Sequence, residues 1–380
     1  MNKSNALIET QTLIVGASAA GLACAAQLKK LGLEFQIIEK EGEVAKSWRN
    51  HYDRLHLHTP KSTSNLPFLK FPRETPKYAS RQQVISYLEN YQSTFNIEPI
   101  FDATVTKISK CENGWLTVTN KGRFQSKNII LCTGNAHTPK PFDKPGLKSF
   151  SGKVLHSSQY KNGKEFQGKN VLVVGFGNSA CEIAICLHEH GANPSMSVRS
   201  PVNIIPHEIF GIPVLQIGIA QQGLPPRWSD TLNKPLLRFL VGDFEKYGLQ
   251  KLPYGPKEQI INHHRIPMLD IGTLDLIKSG DIRIQNDIKS VSENQVKFEN
   301  GNEQQIDAII FATGYDTGLE KIMDINSNQL EDMKKSIKNR QFFGSEDLYF
   351  CGFYVSPTGM LREIRLESAA IAKRIRSNNT

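Results

Sequence analysis

Two stretches of this chain repeat one plan, and that plan leaves few folds open. In the first, Thr12–Leu13–Ile14–Val15 reads as a buried strand, Gly16–Ala17–Ser18–Ala19–Ala20–Gly21 as a turn into a helix, and a second strand ends at Glu39–Lys40. Gly16 permits the tight turn and Gly21 lets the helix pack close to the strand. The helix N-terminus then offers free N–H groups to a pyrophosphate. Glu39 has the offset from Gly16 that suits a carboxylate receiving a ribose hydroxyl. Ser18 stands where the dinucleotide fingerprint has its second glycine, and a small hydroxyl fits there. The alternative for this stretch alone is a structural turn.

The plan recurs at Asn170–Val171–Leu172–Val173–Val174. This strand leads into Gly175–Phe176–Gly177–Asn178–Ser179–Ala180, a helix closed near Gly191, and a strand Ser195–Val198 ending at Arg199–Ser200. Ala180 in the third glycine's place still allows close packing. Arg199 stands close to the place that Glu39 takes in the first copy, and a guanidinium grips a 2′-phosphate that a carboxylate would repel. The second site is therefore expected to prefer NADPH; the alternative is a solvated arginine at a strand end. A further echo pairs Ile129–Ile130–Leu131–Cys132–Thr133–Gly134 with Ile309–Ile310–Phe311–Ala312–Thr313–Gly314.

The expected fold is therefore α/β, with two Rossmann-like dinucleotide-binding domains, the second inserted into the first. The boundaries are placed at 1–164, 165–306 with a substrate-side insertion, and 307–380. Pro139–Pro145 marks a crossing between domains, and the chain returns through Thr313–Gly314–Tyr315. The strand Leu348–Gly352 and a helix from about Leu361 complete the first domain, with Gly352–Phe353 approaching a bound ring system.

Composition narrows the remaining classes. At 380 residues the chain holds roughly two or three domains at ~150 residues each. Apolar content of 39% and charged content of 22% describe an ordinary soluble protein. Met1-Asn-Lys-Ser-Asn-Ala lacks a basic start followed by an apolar core, so a cytoplasmic site follows by default. No run reaches the ~18–20 apolar residues of a membrane span, and Val202–Ala220 is broken by Pro206, His207, Glu208, Pro213 and Gln216. The net charge of +9 is scattered without a basic block, which points to phosphate-bearing cofactors and not to nucleic acid. The six cysteines include no C-x-x-C, so no metal site is expected. Cys181 and Cys186 have the spacing of a redox pair but fall within the second helix, on different faces, as core residues.

Between the motifs, Ala45–Lys46–Ser47–Trp48–Arg49 and Tyr52–Thr59 mix small, aromatic and cationic residues without periodicity. That suits a loop lying along an extended ligand; the alternative is a surface loop with a buried Trp. Ser80–Leu88 reads as an N-capped amphipathic helix. Phe101–Ile108, Trp115–Thr119 and Arg123–Gln125 read as short strands, and Asn128–Leu131 as a buried one.

Phe150-x-Gly152-x-x-x-His156-x-x-x-Tyr160 resembles the identifying motif of the class B flavin-containing monooxygenases, whose Baeyer–Villiger relatives end it in Trp. The paired glycine motifs, the Trp48 loop and Phe311–Ala312–Thr313–Gly314–Tyr315 fit the same family. Tyr52–Thr59, Gly177–Asn178–Ser179, Val198–Arg199–Ser200 and Leu269–Asp270–Ile271–Gly272–Thr273 are most similar to its YUCCA-type group, which acts on indole-3-pyruvate. The resemblance implies FAD at the first site, NADPH at the second, and oxygenation of a small organic substrate by a hydroperoxide at flavin carbon 4a, in a site closed to water.

By the same resemblance, Gly16, Ser18, Ala19, Gly21, Glu39, Lys40, Lys46, Ser47, Trp48, Arg49, His58, Thr59, Val105, Thr133, Gly134, Gly352 and Phe353 would hold FAD. Gly175, Gly177, Asn178, Ser179, Arg199, Ser200, Thr313 and Gly314 would hold NADPH. Animal-type members carry an asparagine near the flavin, in the segment that reads Leu57–His58–Thr59–Pro60–Lys61 here. Its absence leaves His58 and Thr59 as catalytic candidates, with Asn178 as a third. His156 reads as a structural hinge residue between domains, with a proton donor as the alternative. Pro201–Tyr254 is expected to line or cover the substrate entrance, although Pro206, His207, Trp228 and Tyr254 also suit packing. The partners are a small-molecule substrate and O2, with a homodimer open. The first reading is oxidative decarboxylation of a 2-oxo acid; N- or S-oxygenation of an amine or thioether is the second. A flavin disulfide reductase and a non-catalytic nucleotide-binding protein stand behind them.

Overall fold

Leu13–Ile14–Val15 has no polar alternation, the pattern of a strand covered on both faces. These residues end β1 (Leu7–Val15), each at 4% exposure or less. The computed structural model describes residues 7–338 and 347–378, so the N-terminal hexapeptide lies outside the described residues. The chain divides into two compact units, the first made of 1–49, 59–138 and 315–380, the second of 50–58 and 139–314.

In the first unit β1 continues through α1 (Ala19–Lys30) to β2 (Gln36–Ile38). α2 (Arg81–Thr94) starts at Ser80 with a capping box: the Ser80 hydroxyl accepts from the Gln83 N–H while the Gln83 side chain accepts from the Ser80 N–H. β3 (Val105–Cys111), β4 (Gly114–Thr119) and β5 (Gly122–Leu131) follow, giving the sheet order β2-β1-β5-β4-β3. β5 joins two kinds of sheet. Its first half pairs antiparallel with β4, while Ile129–Leu131 pair parallel with β1 on one side. The C-terminal strand Leu348–Phe350 takes the other side. Burial along β5 alternates in the first half and is continuous in the second. That change of period explains why the sequence reads it as two strands. Two other expectations are corrected. Phe101–Thr104 is not strand, because Asp102 turns the chain at φ 54°, and Lys46–Asn50 forms one helical turn where a loop was expected.

The second unit is built on β6 (Lys153–His156), β7 (Asn170–Val174), β8 (Asn193–Ser197), β9 (Arg283–Gln285) and β10 (Ala308–Phe311), with α3 (Asn178–Glu189) between β7 and β8. Its sheet runs β9-β8-β7-β10-β6, every neighbour parallel. Successive residues serve opposite faces. Val171, Val173 and Ile310 pack with Ile183 and Leu187 of α3, and Leu172, Val174, Ile309 and Phe311 pack with Phe298 and Ile306. Because β6 and β10 both belong to this sheet, the division falls at 138/139 and 314/315 and not at 164/165 and 306/307. The segment 50–58 also sits in the second unit, where Tyr52 is buried in the same cluster as Tyr160 and Phe166.

Candidate functional site

The first glycine turn is fixed by backbone contact. Gly16 lies at φ 104°, its N–H donates to the Ile38 carbonyl at 2.8 Å, and the Cys132 N–H donates to the Val15 carbonyl at 2.9 Å. A Cβ at Gly21 would stand 1.8 Å from the Gly16 carbonyl oxygen, so any other residue pushes α1 off β1. Glu39 closes over this turn: Oε2 accepts from the Ala17 N–H at 2.7 Å and Oε1 from the Glu41 N–H at 3.1 Å. Each carboxylate oxygen keeps a lone pair for a ribose hydroxyl. Ser18 is the N-cap of α1 without a side-chain cap bond, and its hydroxyl meets that of Ser47 at 3.2 Å.

Around this turn the remaining candidates are already engaged to different degrees. Lys40 pairs with Glu41 at 3.7 Å, Lys46 with Glu43 at 3.1 Å, and Arg49 with Glu43 at 2.9 Å and with Glu89. Trp48 is half-buried and Val105 opens β3. The Thr59 hydroxyl meets Ser64 at 2.6 Å. Gly134 follows Thr133 at φ 70°. The Gly352 N–H donates to the buried Glu367 at 2.7 Å. Phe353 lies in the core, edge-on to Phe350 at 5.7 Å.

The second unit reproduces the first down to the hydrogen bonds. Gly175 lies at φ 122°, its N–H donates to the Ser197 carbonyl at 3.0 Å, and the Ala312 N–H donates to the Val174 carbonyl at 3.0 Å. Gly177 faces open space, and Ser179 and Ser200 are half-buried. Arg199 is exposed beyond β8. Gly314 lies at φ 88°. Asn178 is committed to structure: its Oδ1 accepts the Leu269 N–H at 2.8 Å. At the end of each repeat sits a threonine, Thr133 and Thr313, whose hydroxyl is buried and makes no hydrogen bond among the described residues. Two orphaned donors at equivalent strand ends, beside turns that exclude a Cβ, suit a dinucleotide at each turn.

His58 lies in the second unit, half-buried, with Nε2 2.5 Å from Glu182 Oε1. Glu182, 2% exposed on α3, is a residue that sequence reasoning missed. The available signal was an acid inside the otherwise apolar run Ala180–Leu187, one turn after Asn178. His207 Nε2 donates to the His58 carbonyl at 3.0 Å, Tyr254 stacks on His263 at 4.1 Å, and Pro206 belongs to a strand paired with Met268–Asp270. Trp228 is 73% exposed, which does not fit a core packing role.

The Phe150–Tyr160 motif lies wholly within the second unit. Phe150 packs on the cluster around Phe311, and a Cβ at Gly152 would lie 2.3 Å from the Asp307 carbonyl oxygen. His156 reaches the Gly314 carbonyl at 3.2 Å through Nε2, and burial pushes its pKa below the ordinary histidine value. Tyr160, 1% exposed, stacks near Phe166. Cys181 and Cys186 are free and buried in α3, and burial pushes the Cys181 thiol up.

The profile of a family described as "Pyridine nucleotide-disulphide oxidoreductase" matches residues 13–206. The chain is 39% identical over 356 residues to a protein of Arabidopsis thaliana named "Probable indole-3-pyruvate monooxygenase YUCCA3", covering 90% of this chain and 81% of the relative. It is 36% identical over 371 residues to "Indole-3-pyruvate monooxygenase YUCCA8" of Oryza sativa, covering 93% and 88%. Among solved structures, a flavin-containing monooxygenase from Stenotrophomonas maltophilia superposes with a TM-score of 0.72 over 98% of this chain and 99% of its own, at 16% identity. An oxidized steroid monooxygenase bound to NADP gives 0.78 over 98% and 85%, at 17% identity. At such identities the structures speak for the fold.

Proposed function

Since this chain belongs to the YUCCA family of flavin-containing monooxygenases, we propose that it binds FAD at the first glycine turn and NADPH at the second and oxygenates a 2-oxo acid such as indole-3-pyruvate. The observation that carries the reading is the doubled turn, each copy ending in a buried threonine hydroxyl that has no partner among the described residues, with Glu39 at one tip and Arg199 at the other.

The flavin, when bound, supplies hydride acceptance from NADPH and activation of O2. The chain's own part is binding and enclosure. Glu39 receives ribose hydroxyls while it holds the Ala17 N–H. The N–H groups at the start of α1 and α3 receive phosphates, and Arg199 grips the 2′-phosphate that separates NADPH from NADH. Thr133 and Thr313 supply the hydroxyls at the strand ends. His58, held by the buried Glu182, is the proton-handling candidate, and Asn178 keeps the Met268–Asp270 strand in place beside α3.

The balanced reaction converts the 2-oxo acid anion, O2, NADPH and one proton into the carboxylate shortened by one carbon, CO2, NADP+ and water. The test is to reconstitute the protein with FAD and follow NADPH, O2 and CO2 with indole-3-pyruvate, phenylpyruvate, an amine and a thioether. The expected result is substrate-dependent NADPH use with one CO2 per turnover from the oxo acids. Oxide formed only from the amine or thioether would move the enzyme to the second reading, and FMN as the released flavin would overturn the cofactor assignment.

A further inference from the structure

Phe210, Ile212, Leu224, Trp228, Leu232 and Phe239 are six of the eleven large apolar side chains that stand exposed among the described residues. All six belong to one short stretch of the second unit. Single exposed apolar residues are ordinary on any surface, whereas a concentration of them marks a contact. Two elements, joined by the short helix Val214–Ala220, display them.

The first is the helix Pro226–Val241, which turns polar side chains toward the protein. Ser229 and Asn233 donate to the Gln221 side chain at 2.6 and 2.8 Å, and Asp230 accepts the Lys257 and Glu258 N–H groups, each at 2.9 Å. Outward, Trp228 is 73% exposed, Leu232 66% and Phe239 79%, with Pro235 exposed between them. At 100° per residue these four fall within about 60° of one another, in a row roughly 16 Å long. About 110° round the helix runs a second exposed row, Arg227, Lys234 and Arg238, of which Arg227 meets Glu258 at 3.5 Å. Asp230, the one acid in this helix, is the residue held inward, so the outer surface of the helix carries cations and no anion.

The second element is the hairpin Glu208–Ile209 to Ile212–Pro213, whose strands pair antiparallel. Its two tip residues both have positive φ, Phe210 at 50° and Gly211 at 79°, a conformation for which tight hairpins ordinarily use Asn-Gly. A phenylalanine is sterically strained there, and at 81% exposure its ring finds no burial within the chain. Strain kept at an exposed aromatic points to a contact outside the chain.

An apolar row beside a cationic row is the pattern of a helix lying in the plane of a membrane, with its apolar side in the acyl boundary and its cations at anionic headgroups. A second copy of the chain fits less well, because an isologous contact through this face would bring the same cations together with no acid from either helix to pair them. A nucleic acid would meet the cations and leave the apolar row unused. We propose that the protein docks reversibly on an anionic lipid surface through the outer face of the helix Pro226–Val241, with Phe210 at the hairpin tip as a second anchor. The helix lies on the surface without crossing it: no helix among the described residues is long and apolar enough to span a membrane. This docking is independent of the monooxygenase reading, and its test needs no turnover.

The test is sedimentation of the full-length, FAD-loaded protein with vesicles of phosphatidylcholine, alone or with about one-third phosphatidylglycerol. Binding should require the anionic lipid and weaken as salt rises. Lys234→Gln and Arg238→Gln should each weaken it on the order of fivefold. The double variant Trp228→Ser/Phe239→Ser should weaken it at least about tenfold, while flavin content and melting temperature stay as in the wild type, because both side chains already stand in water. Phe210→Asn should raise the melting temperature, since asparagine takes positive φ readily, and still weaken docking. Lipids brominated in the acyl chain should quench the tryptophan emission of the wild type and leave that of Trp228→Phe unchanged. Absence of binding at either composition, equal binding with and without anionic lipid, or full binding by the double variant would overturn the proposal. A concentration-dependent dimer in sedimentation equilibrium that the same double variant dissolves would overturn it too, by showing that a second copy covers this face.

Discussion

At the scale of residues, the two glycine turns differ chiefly in the charged side chain at the tip of the second strand. Glu39 is folded back onto the Ala17 N–H, whereas Arg199 is exposed. A charge-assisted bond contributes about 1.5–3 kcal/mol, so Arg199→Ala should weaken NADPH binding by about 10- to 150-fold and leave NADH nearly unchanged. Titration of both nucleotides checks this, and equal losses would make Arg199 a scaffold residue. The two turns were legible in the sequence because a backbone at φ 104° and 122° demands glycine. Glu182 was not legible. Its partner His58 lies 124 positions away, and no periodic pattern reports a contact between a helix and a distant loop.

At the scale of elements, the last helix does more than cover the first sheet. This helix, α4 (Met360–Ser377), carries Glu363 and Glu367, each 1% exposed. Glu363 accepts from the Ser356 hydroxyl at 2.9 Å and from Thr358, and Glu367 accepts the Gly352 N–H. Together they tie residues 352–358 to the helix. Glu367→Ala leaves the Gly352 N–H without this acceptor in the interior and should cost about 1–3 kcal/mol. Urea unfolding should show that loss as a lower midpoint at unchanged slope; an unaltered midpoint would mean that water satisfies the group. Element types were read correctly where one period ran throughout, as in α2 and β7. Where the period changed, as along β5, the type was right but one strand was read as two, and where a single turn was too short to display a period, as at Lys46–Asn50, the type itself was missed.

At the scale of the whole molecule, His137 in the first unit and His156 in the second both have pKa values lowered, chiefly by burial. The unfolded chain then binds protons at a higher pH than the folded one. Stability is intact above the unfolded value of about 6.5 and falls as the pH drops from there through the folded values. Melting temperatures should therefore decline from pH 7.5 to pH 5.5, and His156→Asn should flatten that decline. A melting temperature independent of pH over this range would contradict the assignment.

The discontinuous first unit also sets an order of events during synthesis. Ile129–Leu131 of β5 has β1 available on one side at once, but its other neighbour, Leu348–Phe350, is more than 200 residues downstream. At roughly 5–20 residues per second, the ribosome leaves that edge open for about 10–40 s, while the whole inserted unit emerges and is free to fold. The first nucleotide site is thus begun first and completed last, and its unpaired inner strand is where a stalled or truncated chain would be captured by a chaperone or by another nascent copy.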